Sequence, residues 1–134
     1  MRIQLDEKII KSMNMFQSMT GSQVIDCIDN HETIYFVVGE GQYGLAVGKG
    51  GIKIKNVENK FNKEVRVFEF SPEIEKFIRN MIHDVQDISI TPDGIFVKVK
   101  SGSRARIIGK SGKNVKIVNE LLKRHFDRND LKIK

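Results

Sequence analysis

The chain has little of what would commit it to disulfide, metal or membrane chemistry. Its one cysteine, Cys27, has no partner for an internal disulfide. The three histidines, His31, His83 and His125, lie far apart and read as surface or cap residues, so no cluster at zinc-ligand spacing arises. Neither a structural metal nor a cofactor is therefore expected. Apolar runs stop after a few residues, as in Ile34-Tyr35-Phe36-Val37-Val38, and the N-terminus carries charges where a signal peptide would place its apolar stretch. The expectation is a cytoplasmic protein that does not enter a membrane. Tryptophan is missing and aromatic residues make up 7% of the chain, which limits ring stacking at any site. No Ser/His/Asp set and no repeated carboxylate pair stands out, so an enzyme acting on a small-molecule substrate is not expected.

What is present is apolar and charged in globular proportions, 40% and 30% of 134 residues, enough for one ordinary domain or two very small ones. The formal charge of +6 is unevenly spread. Residues 1–70 hold 9 Lys+Arg and 9 Asp+Glu, while residues 71–134 hold 14 and 8, so the whole excess lies in the second half. Between Lys98 and Lys116 come Lys98, Lys100, Arg104, Arg106, Lys110, Lys113 and Lys116 without one acid. Such a stretch suits a polyanion, because cations that meet phosphates release condensed counterions. A solvated basic face with no partner has the same composition.

An internal repeat organises the chain. Shifting the sequence on itself by 61 residues brings Ala46-Val47-Gly48-Lys49-Gly50-Gly51 onto Ile107-Ile108-Gly109-Lys110-Ser111-Gly112. Upstream, Val24 falls on Val85, Ile34 on Ile95 and Val38 on Val99; downstream, Ile54 falls on Val115, Val57 on Val118 and Phe61 on Leu122. The register slips only after about five extra residues around Arg124–Asn129, beyond which Val65 and Val67 correspond to Leu131 and Ile133. A period this long exceeds solenoid units and indicates two duplicated small domains, 1–70 and 71–134.

Each copy reads helix, strand, strand, short helix, glycine loop, longer helix, strand. In copy one, helical spacing from about Asp6 to Met19 turns Ile9, Ile10, Met13 and Phe16 inward, with Gly21 just past the end. In copy two, Ile74, Phe77, Ile78, Met81 and Ile82 follow the same spacing, Ser71 is placed to cap and Pro72 to take the first helical position. Strands are expected over Val85–Thr91 and Ile95–Lys100, joined by Pro92-Asp93-Gly94, with a matching turn near Asn30-His31-Glu32 in copy one. The closing strands are Glu64–Phe70 and Asp130–Lys134. With only Ser71 spare between the copies, a rigid junction is expected.

A Gly-x-x-Gly loop between two helices, with a lysine inside, brings backbone against a phosphate chain, since glycine allows both the turn and the close approach. The next helix then aims its unsatisfied N–H groups and positive dipole end at the anion. Two lookalikes fail. Gly109-Lys110-Ser111 resembles the tail of a nucleotide-binding P-loop, but that motif needs glycine where Arg104 stands. Gly39, Gly41 and Gly44 mimic a dinucleotide fingerprint, yet Leu45-Ala46-Val47 is too short for its helix, so they read as a loop entering the short helix.

With these loops the sequence resembles the KH family of RNA-binding modules, whose signature is a Gly-x-x-Gly loop between helices beside a three-stranded sheet. The helix-strand preface of each copy resembles the prokaryotic-type (type II) arrangement. The resemblance implies an α+β fold of two tandem KH domains, each a three-stranded sheet with helices packed on one face. The closely joined pair, covering about Gln4 to Lys134, is similar to the archaeal NusA-like transcription termination/antitermination factors. It lacks the N-terminal polymerase-binding domain and oligonucleotide-binding barrel of bacterial NusA, so any polymerase contact is expected on KH surface. The resemblance implies that Gly48, Lys49, Gly50 and Gly51, and likewise Gly109, Lys110, Ser111 and Gly112, each clamp about four nucleotides of single-stranded RNA. It further implies that Lys53, Lys113 and Lys116 extend the phosphate track, that Arg104 and Arg106 line its approach, and that Val47, Ile52 and Ile108 floor a base groove. RNA polymerase or ribosomal components are the implied protein partners. The alternative is a KH adaptor in ribosome assembly or RNA processing, with one copy used for protein contact.

Overall fold

The computed structural model describes residues 7–134, which divide into two compact units between Ser71 and Pro72. The first unit runs α1 (Glu7–Thr20), β1 (Val24–Asp29), β2 (Thr33–Val38), α2 (Tyr43–Val47), α3 (Ile52–Phe61) and β3 (Glu64–Glu69). Its central strand β2 pairs antiparallel with β1 and parallel with β3. Alternation along β2 sends Ile34, Phe36 and Val38 to one face, where Phe16 of α1, Ala46 of α2 and Val57 of α3 cover them. Phe16 and Phe36 stack with ring centroids 4.0 Å apart, and neither retains any exposure.

The second unit repeats the order as α4 (Ile74–Met81), β4 (Val85–Thr91), β5 (Gly94–Val99), α5 (Arg104–Ile108), α6 (Lys113–Phe126) and β6 (Leu131–Ile133), with β5 central. Phe77 and Ile78 of α4, Ile95 and Val97 of β5, and Leu121 and Leu122 of α6 are fully buried. The repeat survives in fine detail. A bulge interrupts the first ladder between Val24 and Asp26, and again 61 residues on, between Val85 and Asp87. Parallel pairing sets Ile34 opposite Val65 and Phe36 opposite Val67, as it sets Ile95 opposite Leu131 and Val97 opposite Ile133. The extra residues of copy two are mostly one more turn of helix, since α3 has 10 residues and α6 has 14. Each ends on a left-handed residue, Asn62 at φ 55° and Asp127 at φ 58°, side chains that tolerate that region.

The first helices depart from expectation in two places, the facing of Ile10 and the start of α4. The anticipated start at Asp6 lies outside the described residues. Ile10, expected inward, is 44% exposed, because Ile9, Met13, Phe16 and Thr20 already fill the inner stripe and Ile10 sits one residue of rotation off it. Glu73 and not Ser71 stands at the N-cap position of α4, and Pro72 is not its first residue: the helix starts at Ile74 after an extended Glu73. The Phe70 N–H still donates to Val38 O at 2.8 Å, so the chain stays tied to the sheet too long for the helix to begin at Pro72.

These contacts separate two apolar positions that look alike in sequence. Phe36→Ala is expected to cost about 3–5 kcal/mol, whereas Ile10→Ala should stay within about 0.5 kcal/mol. Urea unfolding of both variants measures the contrast.

Candidate nucleic-acid interface

The two glycine loops share one backbone. Gly48 and Gly109, the first residue of each, have φ/ψ of 78°/169° and 80°/169°. Gly50 and Ser111 lie at 64°/18° and 56°/26°, and Gly51 and Gly112 at 75°/16° and 73°/17°. The N–H of Gly51 donates to Gly48 O and that of Gly112 to Gly109 O, both at 3.1 Å, closing the turn. The conformation of Gly48 and Gly109 is essentially closed to other residues. Space forbids a side chain as well: a Cβ on Gly48 would come 2.7 Å from Lys53 Cγ, and one on Gly109 2.9 Å from Asn114 Cγ.

Those two neighbours are equivalent positions with the same task. Lys53 Nζ donates to Thr20 O at 2.8 Å and to Leu45 O at 3.1 Å, satisfying carbonyls at the ends of α1 and α2. Asn114 Nδ2 donates to Arg106 O at 3.1 Å, and Arg106 is the residue aligned with Leu45. Lys53 was expected on the phosphate track; the structure instead turns its ammonium onto its own backbone as a buttress beneath the loop.

Above that buttress the loops are open. Lys49, Gly50, Lys110 and Ser111 are exposed, and among the described residues no ion pair engages Lys49 or Lys110. The helices that follow start on glycines, with no side-chain hydrogen bond capping α3 or α6 and no acid in either first turn. Such starts present unsatisfied N–H donors and a positive dipole end to an anion. Lys116 is exposed on α6, and Lys113 is half-buried at its first residue.

The arginines of copy two are partly engaged. Arg104 donates to Ile133 O at 3.4 Å, a long contact that leans it on the end of β6. Arg106 reaches Asp84 Oδ2 at 3.2 Å, and Ser103 Oγ donates to the same oxygen at 2.7 Å. The Ser103 hydrogen bond, more than the positive charges of Lys100 and Arg106, outweighs burial and holds the Asp84 carboxyl below its usual range. With three quarters of its side chain exposed, Arg106 is held loosely enough to exchange Asp84 for a phosphate.

Three residues at the same aligned positions give copy one a different surface. Tyr43, Leu45 and Ile52, on the helices that enter and leave the loop, are 47%, 44% and 55% exposed. Their counterparts in copy two are Arg104, Arg106 and Lys113. Ile52 is exposed on the flank of the loop, and Val47 and Ile108 are half-buried beside the loops. Tyr43 and Leu45 were not anticipated; the signal for them is the mismatch between the copies, apolar in one and cationic in the other.

Comparisons with known proteins agree with this geometry. A family model described as the KH domain matches residues 7–86 and again 73–134. The chain is similar to proteins named probable transcription termination protein NusA. That of Methanococcus vannielii is 38% identical over 86% of this chain and 70% of the relative. That of Methanocaldococcus jannaschii is 33% identical over 98% and 75%. A solved structure described as "Crystal structure of APE1850" superposes with a TM-score of 0.77 at 26% identity, covering 97% of this chain and all of that one.

The loop's first glycine should be a folding requirement and its lysine should not. Gly48→Ala and Gly109→Ala are each expected to cost about 1–3 kcal/mol, and Lys49→Ala and Lys110→Ala less than about 0.5 kcal/mol. Chemical denaturation of the four variants provides the check.

Proposed function

The chain belongs to the KH-domain family, and from that membership we propose that it is a single-stranded RNA-binding factor of transcription termination and antitermination. The observation that carries the reading is the pair of loops with one backbone, each holding an exposed lysine before an uncapped helix start. Gly48 to Gly51 and Gly109 to Gly112 each clamp the backbone of about four nucleotides. Lys113, Lys116, Arg104 and Arg106 continue the phosphate contacts in copy two. This is binding and not catalysis, since the repeated element presents backbone donors and ammonium groups to an intact strand. The curated relatives named for transcription termination support the setting, and RNA polymerase is the protein partner that setting implies.

The copies divide the work. Copy two carries +7 over Lys98–Lys116, against +2 for the aligned Val37–Lys55, which holds Lys49, Lys53, Lys55 and Glu40. Copy two therefore supplies most of the electrostatic grip, and Tyr43, Leu45 and Ile52 let copy one meet base faces. The same apolar flank favours a second reading, in which copy one docks on protein and the chain serves as an adaptor in ribosome assembly or RNA processing. RNA crosslinked to the protein in cells separates the two: transcript ends favour termination, and ribosomal RNA favours assembly.

Binding should favour an unstructured oligonucleotide over a hairpin stem and weaken with salt by about 0.7 log units per log unit of salt for each phosphate neutralised. Lys110→Asp should flatten that slope more than Lys49→Asp, with thermal midpoints little moved. Equal affinity for the stem, or a larger loss of slope from Lys49→Asp, would count against the reading. Tyr43→Ala is expected to weaken binding by about 1–3 kcal/mol, the range of a base–aromatic stack, while leaving the salt slope unchanged. Fluorescence anisotropy titrations at several salt concentrations measure both.

A further inference from the structure

Copy one carries a second concentration of positive charge that the loops do not use. A cleft of about 330 Å³ opens between the first half of α1, the end of β1 and the last turn of α3. Lys8, Lys11, Lys60 and Lys63 line it, with Met15 and Phe61 supplying apolar surface. Lys53 of α3 bonds Thr20 at the end of α1, so the two helices run antiparallel and the cleft lies at the far end of α3 from the loop, about 15 Å along the axis at 1.5 Å per residue.

The cleft is built around one half-buried ion pair. Lys63 Nζ holds both Asp29 oxygens at 2.8 Å, and the side chains keep 22% and 10% exposure. Burial raises the Asp29 carboxyl, but the hydrogen bonds from Lys63 and the His31 N–H, with the charges of Lys63 and Lys8, hold it below its usual range. Asp29 is thereby consumed. Lys11 meets only Glu7, at 3.6 Å with both side chains largely exposed, a pair worth little. Among the described residues no carboxylate pairs with Lys8 or Lys60. Lys60 gains from the negative end of α3, whereas Lys8 sits in the first turn of α1, the wrong end of the dipole for a cation. Asp29 and Glu7 offset only part of the four ammonium charges that line this concave, partly apolar surface, so the cleft is left net positive and favours an anion.

The repeat shows that this cleft is no relic of the shared module. Lys8 and Lys11 lie on the six residues by which α1, of 14 residues, outreaches α4, of 8. At the 61-residue offset Asp29 falls on Ile90 and Lys60 on Leu121. Copy one as a whole is formally neutral, with 9 cations and 9 acids, so gathering four lysines here is a local arrangement and not a consequence of overall charge.

We propose that this cleft is a second phosphate-recognising site, taking one phosphorylated nucleoside with its phosphate between Lys8, Lys11 and Lys60 and its base against Met15 and Phe61. An acidic peptide would meet the lysines but has no flat ring for the apolar surface. The nucleotide comes from an RNA strand that passes beyond the Gly48–Gly51 loop along α3, or from a free mononucleotide. The RNA source rests on the reading of the loops as RNA clamps; the site itself does not.

The test uses the full chain and the variant Lys8→Gln/Lys11→Gln/Lys60→Gln, which spares the Asp29–Lys63 pair, with Lys60→Gln alone as the milder form should the triple variant fold poorly. Single-stranded RNAs of 5 and 15 nucleotides are titrated at several salt concentrations, and AMP and a short poly-glutamate peptide are titrated while the amide resonances of Met15, Lys60 and Phe61 are followed. For an RNA source, the variant should bind the 15-mer at least about fivefold more weakly, with the slope flatter by about 0.7 per lost phosphate contact, and bind the 5-mer within twofold of the parent. For a free nucleotide, AMP should shift the three amides in the parent and not in the variant, with RNA binding unchanged. Equal losses for the 5-mer and 15-mer, a response to poly-glutamate without one to AMP, or no change in any arm would overturn the site. Failure of the loop reading appears separately, as a Lys49→Asp/Lys110→Asp protein that binds the 5-mer as tightly as the parent.

Discussion

The backbone at Gly48 and Gly109 is the constraint on which each unit's site depends. Near φ 80° and ψ 169° the chain leaves one helix and, after a single 3-10 turn, starts another whose first N–H groups face outward. Any other residue would pay twice, in dihedral strain of about 1–3 kcal/mol and in a clash with the side chain packed beneath. That side chain, Lys53 in one copy and Asn114 in the other, donates to the carbonyl three residues before the first loop glycine, that of Leu45 or Arg106, so the crossing of the two helices and the shape of the loop are set together. The second loop position, a lysine in both copies, is exposed on this turn.

Duplication makes the copies each other's control. What they hold in common, namely the bulge, the parallel register and the loop dihedrals, is what the module needs in order to fold and to offer a phosphate its donors. What they do not share is the surface around the loop and the reach of the first helix. Ser111, at φ 56° where copy one has Gly50, shows that the third loop position accepts a side chain at modest strain, unlike the first.

Much of this was legible in the sequence, for a physical reason. Apolar periodicity and glycine pairs report on burial and turns, and those decide element order, so the strands, the loops and the slip that matches Val65 to Leu131 could be read directly. Ile10 and Ser71 were misplaced because helical spacing tolerates a neighbouring residue and because a cap depends on where the preceding strand lets go, which no local pattern records. The internal contacts of Lys53 could not be read from the sequence, because lysine's long stem lets one residue type either reach a ligand or fold back onto carbonyls. Tyr43 and Leu45 were passed over because a search for repeats rewards identities, while the chemistry here lies in the differences.

Those differences bear on how formal charge should be counted at the two loops. Of the three cations in the aligned segment of copy one, Lys53 has its ammonium against Thr20 and Leu45 carbonyls, which leaves one of its three N–H donors for another acceptor. In copy two the comparable internal contacts are made by neutral Asn114, and Arg106 gives up only an exposed carboxylate to turn outward. Counterion release requires that a cation come into contact with phosphate, and each copy holds part of its charge in internal contacts, Lys53 in copy one and Arg104 and Arg106 in copy two. Around the loop, copy one presents aromatic and aliphatic surface where copy two is cationic. Stacking tolerates salt that charge pairing does not, so the two surfaces differ in their response to screening.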